Sequence, residues 1–137
     1  MITHILDTSA VLAHYLKEPG AEDVNRILSH GPEEVGLSVV SLPELRTRLG
    51  DLVPDAQEAE RVFRSYTDVL ATSLPATRAT ANAAIELRAK VRPRLPLVDA
   101  LIVAAAKERD AVLVHRDPHM AVIPGNLVKQ LTLPPKK

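Results

Sequence analysis

Short apolar runs of the kind that form strands alternate along this chain with longer stretches of helical periodicity. The strand-like runs cover residues 2–6, 35–40, 71–74, 111–114 and 127–131. Between them, apolar residues recur every three or four positions, which is the period of a helix with one buried face. Strands that alternate with helices form βαβ units with parallel strands and right-handed crossovers. The sequence therefore predicts an α/β fold with a mostly parallel central sheet of about four or five strands, flanked by helices.

The length of the chain fits one domain. At 137 residues it is long enough to bury a substantial core, and we expect the domain to cover residues 1–133, followed by a short basic tail over residues 134–137 that frays. Hydrophobic residues make up 46% of the chain but aromatic residues only 2%, so the core must consist mainly of aliphatic side chains.

The composition excludes several classes of protein. Lys plus Arg equals Asp plus Glu at 17 each, which argues against a protein that coats nucleic acid through a strong positive field, although a local basic patch is compatible with it. The absence of cysteine excludes disulfides and thiolate catalysis, so a metal ion would be held by oxygen or imidazole. Because the sequence shows neither a signal-peptide pattern nor an apolar run of about 18 residues, we expect a cytoplasmic protein without a membrane segment.

Four acidic residues stand at or near predicted helix N-termini. Asp7 follows the first strand, Glu44 lies in the first turn after the second strand, Asp99 opens the most apolar segment of the chain, and Asp117 follows the fourth strand. Each position also has a purely structural explanation. Asp7 and Asp117 are suitable N-caps, Glu44 fits a capping box with Ser41, and Asp99 complements a helix dipole.

The structural explanation is weakest for Asp99. The helix that it opens must be largely buried, and a desolvated carboxylate normally needs a partner, yet no lysine or arginine is suitably placed nearby. If all four acids meet at the carboxyl edge of the sheet, their charges repel by several kcal/mol at an effective dielectric constant of about 20. A divalent cation would relieve that repulsion, and oxygen ligands suit Mg²⁺ or Mn²⁺. The implied chemistry is metal-assisted attack of water on a phosphodiester.

Four sequence motifs, in this order, connect the chain to a known family. They are Ile5–Leu12 (ILDTSAVL), Ser41–Leu45 (SLPEL), Leu97–Ala106 (LVDALIVAAA) and Arg116–Asp117 after the fourth strand. Together they span nearly the whole chain, which resembles the PIN-domain ribonucleases and, among them, the small VapC-like toxins of type II toxin–antitoxin pairs. The resemblance implies a metal-dependent ribonuclease, a hydrolase that cleaves structured RNA endonucleolytically. It also implies a homodimer and a cognate antitoxin whose peptide fills a groove near the active site.

Carried over position by position, the resemblance also implies site residues. The implied catalytic residues are Asp7, Glu44, Asp99 and Asp117, of which Asp7, Asp99 and Asp117 would bind Mg²⁺, or Mn²⁺ as a substitute, with Ser9 or Thr8 as a supporting hydrogen-bond partner. Two positions depart from the family pattern. His115 stands where the family commonly has Thr or Ser, and Met120 stands where it often has an aromatic residue.

Basic residues near these acids are candidates for contacts with RNA. Arg46 lies just beyond Glu44, and Arg116 is the neighbour of Asp117. Four more basic residues lie within residues 88–94, where they would either hold phosphates or complement the C-terminal dipole of the preceding helix. His115 and His119 are candidate ligands or proton donors, but histidines near turns are commonly ordinary polar residues.

Two other interpretations belong to non-catalytic classes. A receiver-like signalling module is also a small α/β fold with an acidic metal pocket, but it usually needs adjacent acids after the first strand, where this chain has Asp7 alone. The second is a degenerate PIN domain without catalytic activity that serves as a partner-binding scaffold. The departure from the family pattern at His115 is compatible with this interpretation. Loss of activity in Asp7→Asn and Asp99→Asn with an intact fold would distinguish the nuclease from both.

Overall fold

The computed structural model describes residues 1–136. Five strands form one sheet with the order β3-β2-β1-β4-β5, and every neighbouring pair is parallel. The strands are β1 (His4–Leu6), β2 (Val35–Ser38), β3 (Thr72–Leu74), β4 (Val112–His115) and β5 (Lys129–Thr132). The predicted α/β fold with a parallel sheet is therefore confirmed.

Helices connect all the strands. They are α1 (Thr8–Tyr15), α2 (Ala21–Leu28), α3 (Leu42–Leu52), α4 (Ala56–Arg64), α5 (Arg78–Lys90), α6 (Leu97–Arg109) and α7 (Pro118–Ala121). A 3₁₀ turn, Val39–Ser41, precedes α3, and a π-helical segment, Ser65–Leu70, extends α4. Among residues 1–136, no helix combines the length and the apolar character needed to span a membrane.

The direction in which strands are added to the sheet reverses beside β1. The chain places β2 and β3 on one side of β1, and then β4 and β5 on the other. Ligands of open α/β sheets bind in the crevice at such a switch point, outside the carboxyl ends of the strands. Leu6 is the register partner of Val114, and the backbone N–H of Asp7 donates to the carbonyl of Val114 over 3.0 Å. The segments that follow β1 and β4 therefore start side by side at this crevice.

Two aliphatic cores cover the two faces of the sheet. Ile5 belongs to the core beneath α5 and α6, whereas its neighbour Leu6 belongs to the core beneath the helices α1 to α4, because successive strand residues point to opposite faces. The first of these cores contains the alanines of α6, whose small side chains let helices pack closely. The acid-bearing loops are thereby held at the edge of a sheet that is packed on both sides.

Local details differ from the sequence predictions at three places. The second strand ends at Ser38, whose hydroxyl accepts a hydrogen bond from the N–H of Val40 over 3.1 Å and starts the 3₁₀ turn. The predicted capping box of Ser41 with Glu44 is wrong. Ser41 has helical backbone angles (φ −77°, ψ −20°) rather than the extended ones of a capping residue, and its side chain makes no capping hydrogen bond. Apolar residues at three- and four-residue spacing over residues 55–70 predict one amphipathic helix, but its regular part ends at Arg64.

An ion pair connects the predicted tail, residues 134–137, with the domain. Lys136 Nζ lies 3.3 Å from Glu18 Oε2 in the loop after α1. Lys137, the last residue of the predicted tail, lies outside the described residues.

Candidate metal centre

Asp7 lies at the switch point, directly after the central strand, and is buried there. Its Oδ2 accepts hydrogen bonds from the backbone N–H of Ser9 over 3.3 Å and from the Ser9 hydroxyl over 2.8 Å, so it caps α1. The side chain is only 5% exposed, and this burial raises the pKa of the carboxyl group above its ordinary value in spite of those hydrogen bonds. Capping uses one carboxylate oxygen and leaves Oδ1 for another partner.

Asp117 occupies the corresponding position after β4. Its Oδ1 accepts from the N–H of His119 over 2.8 Å and caps α7, while its own backbone N–H donates to Nδ1 of His115 over 3.0 Å. We call the strand-to-helix turn after β1, which carries Asp7, the β1 corner, and the turn after β4, which carries Arg116 and Asp117, the β4 corner or Asp117 corner. Between these two corners, the Ser9 hydroxyl donates to Asp7 and accepts from the backbone N–H of Arg116 over 2.9 Å. Ser9 therefore joins the β1 and β4 corners and sets their spacing.

Asp99 enters the same crevice from the first turn of α6. The pKa of its carboxyl group is raised to about 6, mainly by burial and in addition by the negative charges of Asp117, Asp7 and Glu44, while the imidazole of His119 acts in the opposite direction. Because salt screens such interactions beyond about 10 Å, the acids that shift this pKa lie in the neighbourhood of Asp99. The four acids predicted from the sequence therefore share one electrostatic site, with Glu44 at its exposed side on α3.

Three of the side chains at this site are close enough to share a cation. One ligand atom each from Asp99, Asp117 and His119 lie within 4.8 Å of one another. None of the ion pairs formed within residues 1–136 involves Asp99. A pair of carboxylates with one imidazole is a donor set that suits Mn²⁺, and Mg²⁺ with a larger share of water ligands.

Two buried hydroxyl groups near the acids in the sequence have no hydrogen-bond partner among the described residues. Thr8 and Ser41 are 4% and 2% exposed, and their hydroxyl oxygens have no hydrogen-bond partner within residues 1–136. Thr8 adjoins Asp7, and Ser41 lies at the start of the helix that carries Glu44. Since buried polar atoms are normally paired, each of these two hydroxyls remains available to a further polar partner.

A sequence model of the PIN domain matches residues 4–126, which is most of the chain. The chain belongs to the PIN-domain family. The resemblance drawn from the four motifs is thereby confirmed, and the match favours a PIN domain over a receiver-like module. None of the curated proteins compared with this PIN domain matches it in sequence.

Solved structures share the fold of this PIN domain over nearly its whole length. VapBC2 from Rickettsia felis, bound to a DNA fragment from its promoter, superposes with a TM-score of 0.76 at 14% identity, covering 97% of this chain and 100% of that one. VapBC-5 from Mycobacterium tuberculosis gives 0.67 at 24% identity, with coverages of 96% and 99%. VapC20 from M. tuberculosis, a sarcin-ricin loop cleaving toxin, gives 0.65 at 18% identity, with coverages of 87% and 94%.

The arginines predicted to contact RNA are engaged in ion pairs within the PIN domain. Arg46 Nε lies 2.9 Å from Glu60 Oε1, and Arg116 Nη2 lies 2.6 Å from Glu18 Oε1. Arg116 is largely buried, with 13% of its side chain exposed.

Within residues 88–94, Arg92 donates to carbonyl groups at the end of α5. That contact agrees with the helix-dipole interpretation of this basic cluster.

Two histidines have more specific surroundings than the sequence indicated. His119 lies with Asp99 and Asp117 among the side chains close enough to share a cation, and its position two residues after Asp117, at the start of the same short helix, was the available signal. His115 is fully buried and connects β4 to Gln130 of β5. No sequence pattern marks that contact, because it joins two strands across 15 residues of chain.

Proposed function

We propose that this PIN domain is a divalent-metal-dependent endoribonuclease and the toxin of a type II toxin–antitoxin pair. The observation that carries the proposal is the convergence of acids at the switch point, where ligand atoms of Asp99, Asp117 and His119 lie within 4.8 Å of one another and where burial together with the charges of the three other acids raises the pKa of Asp99 to about 6. An unneutralised group of carboxylates is unfavourable for a structural role, whereas it is what a cation site requires before its cation binds.

The residues have distinct roles in this proposal. Asp7, Asp99 and Asp117 hold the cation, and the Ser9 hydroxyl keeps Asp7 and the β4 corner at a constant separation. Glu44, which is exposed at the side of the crevice, accepts a proton from the attacking water. When bound, Mg²⁺ or Mn²⁺ polarises a phosphoryl oxygen and lowers the pKa of that water.

Structured RNA and an antitoxin protein are the proposed partners. VapC20, which shares the fold, is described as a sarcin-ricin loop cleaving toxin, and VapBC2 and VapBC-5 are toxin–antitoxin systems. By analogy we propose an RNA substrate, a cognate antitoxin and a homodimer for this chain, and a cytoplasmic location, where these partners would be met. Arg46 and Arg116 remain the proposed RNA contacts, which requires RNA phosphates to replace their present carboxylate partners.

Incubation of the purified protein with total RNA tests this function. We expect cleavage with Mg²⁺ or Mn²⁺, none with a chelator, and none with Asp99→Asn. Asp51→Asn, which changes an exposed acid further along α3, is the matched control and should cleave like the wild type. Cleavage in the presence of chelator, or equal cleavage by Asp99→Asn, would contradict the proposal. A folded wild type that cleaves no RNA under any condition would favour the degenerate scaffold instead.

A further inference from the structure

A chain of three hydrogen bonds runs from the Asp117 corner to the edge strand of the sheet. The backbone N–H of Asp117 lies 3.0 Å from Nδ1 of His115, and Nε2 of His115 lies 2.7 Å from Oε1 of Gln130 on β5. The amide nitrogen of Gln130 then donates to the carbonyl of Ile123 over 2.8 Å. His115 is 0% exposed, so water does not compete for either ring nitrogen.

The direction of each hydrogen bond follows from its ends. The amide nitrogen of Gln130 donates to the carbonyl of Ile123. The atom of Gln130 that faces His115 is therefore Oε1, which is an acceptor only. At the other end, the backbone N–H of Asp117 is a donor only. Both ends therefore require a neutral imidazole with its proton on Nε2 and a lone pair on Nδ1. Any other arrangement leaves two donors or two acceptors facing each other in a dry interior.

We propose that His115 and Gln130 are positioning residues that fix the Asp117 corner so that its carboxylate faces Asp99. The backbone N–H of Asp117 is held by His115, and the neighbouring N–H of Arg116 is held by Ser9, so the corner is anchored on both sides. A shorter side chain at position 115, such as Thr or Ser, would not reach Gln130. This chain thus uses its fifth strand to position a metal ligand. The inference rests on the proposed function, because the position of Asp117 matters for its cation.

The protonation of His115 tests the proposal without metal or RNA. Long-range ¹H–¹⁵N correlation spectra of the folded protein show which ring nitrogen carries the proton, and the His115→Asn spectrum assigns the signals. We expect a protonated Nε2 and an unprotonated Nδ1. A proton on Nδ1 would overturn the proposal, because Nδ1 is then unable to accept from Asp117.

Two substitutions separate the two ring nitrogens. His115→Asn keeps a polar atom near the position of Nδ1 and loses the reach to Gln130, whereas His115→Gln keeps a polar atom near Nε2 and loses the acceptor for Asp117. Partners that orient metal ligands typically affect metal affinity by about 10- to 100-fold. We expect His115→Gln, which loses the acceptor for Asp117, to weaken Mn²⁺ binding by about that factor, measured from the paramagnetic resonance signal of the free ion. His115→Asn keeps this acceptor but loses its anchor on β5, so we expect it to weaken Mn²⁺ binding less than His115→Gln does.

Melting temperatures of the same proteins distinguish a positioning role of His115 from a merely structural one, and RNA cleavage tests the proposed function separately. Wild-type Mn²⁺ affinity in His115→Gln, or affinities that follow the melting temperatures of the two variants alike, would overturn the positioning role. In an Asp117→Asn background, adding His115→Gln should lower cleavage no further, since His115 acts through Asp117. If the Mn²⁺ affinities differ as expected but the wild type cleaves no RNA, the proposed function fails and the positioning role stands.

Discussion

Asp99→Asn should stabilise the metal-free protein while removing its activity. In the absence of a cation, the ionised Asp99 carboxylate is half-buried among other negative charges, and the raised pKa measures how unfavourable this is. Asparagine has nearly the same size and no charge. A residue kept for cation binding should therefore lower the stability of the metal-free fold.

The size of this effect follows from the pKa. A rise from 3.8 to about 6 corresponds to about 3 kcal/mol, at about 1.4 kcal/mol per pKa unit. Solvent screening of a half-buried group reduces this to about 1.5 kcal/mol. The favourable interaction of a carboxylate with the N-terminus of α6 subtracts about 0.5 kcal/mol. The remaining gain of about 1 kcal/mol corresponds to a rise of about 4 °C in melting temperature for a domain of this size.

The difference between the two proteins should depend on pH in a defined direction. The folded state binds the proton of Asp99 more tightly than the unfolded state, so the wild type is penalised wherever this carboxyl group is ionised in the fold. The penalty is complete above pH 6, shrinks as the pH falls through the folded pKa of about 6, and is gone below the unfolded value of 3.8.

Calorimetry of the wild type and Asp99→Asn in chelator, at pH 7.5 and at pH 4.5, tests this reasoning. We expect the variant to melt higher at pH 7.5 and the difference to shrink at pH 4.5. Asp51→Asn, the exposed control, should change the melting temperature by less than about 1 °C at either pH. An Asp99→Asn protein that melts at or below the wild-type temperature at pH 7.5 would refute the electrostatic explanation of the site.

Three further predictions concern the cation, the spacing of the corners and the sheet. Saturation with Mn²⁺ at about 100 times its dissociation constant should stabilise the wild type by about 2.7 kcal/mol in calorimetry and Asp99→Asn by much less. Ser9→Ala removes both corner hydrogen bonds and should cost about 1–3 kcal/mol in urea unfolding, with slower RNA cleavage. Gly36→Ala places a methyl group against the Leu74 side chain and should cost about 1–3 kcal/mol, whereas Gly125→Ala, whose Cβ would meet no atom within 4 Å, should be nearly neutral.

The order of strands and helices was predictable because it depends on local periodicity. The runs at residues 2–6 and 111–114 contain β1 and most of β4, and these positions place Asp7 and Asp117 at adjacent strand ends once the sheet is parallel. Capping and site formation also proved compatible. Asp7 and Asp117 each cap a helix with one carboxylate oxygen and still face the crevice, so the structural and functional explanations were never exclusive.

Contacts between distant segments were not predictable from local patterns. The Ser9 hydroxyl meets the backbone of Arg116 across 107 residues, and Glu18 meets the guanidinium of Arg116 across 98. A capping box is a local pattern, yet that of Ser41 fails because the 3₁₀ turn before α3 already gives this residue helical backbone angles. Such outcomes depend on how the preceding strand ends, which periodicity does not determine.

Anomalous diffraction from crystals grown with Mn²⁺ tests most directly whether these separated carboxylates bind one cation. We expect a strong anomalous peak at the switch point, in coordination contact with Asp7, Asp99 and Asp117, and its loss in Asp99→Asn crystals. A protein saturated with Mn²⁺ that shows no peak there, or a peak that persists in Asp99→Asn, would contradict the proposed metal centre and the nuclease function that depends on it.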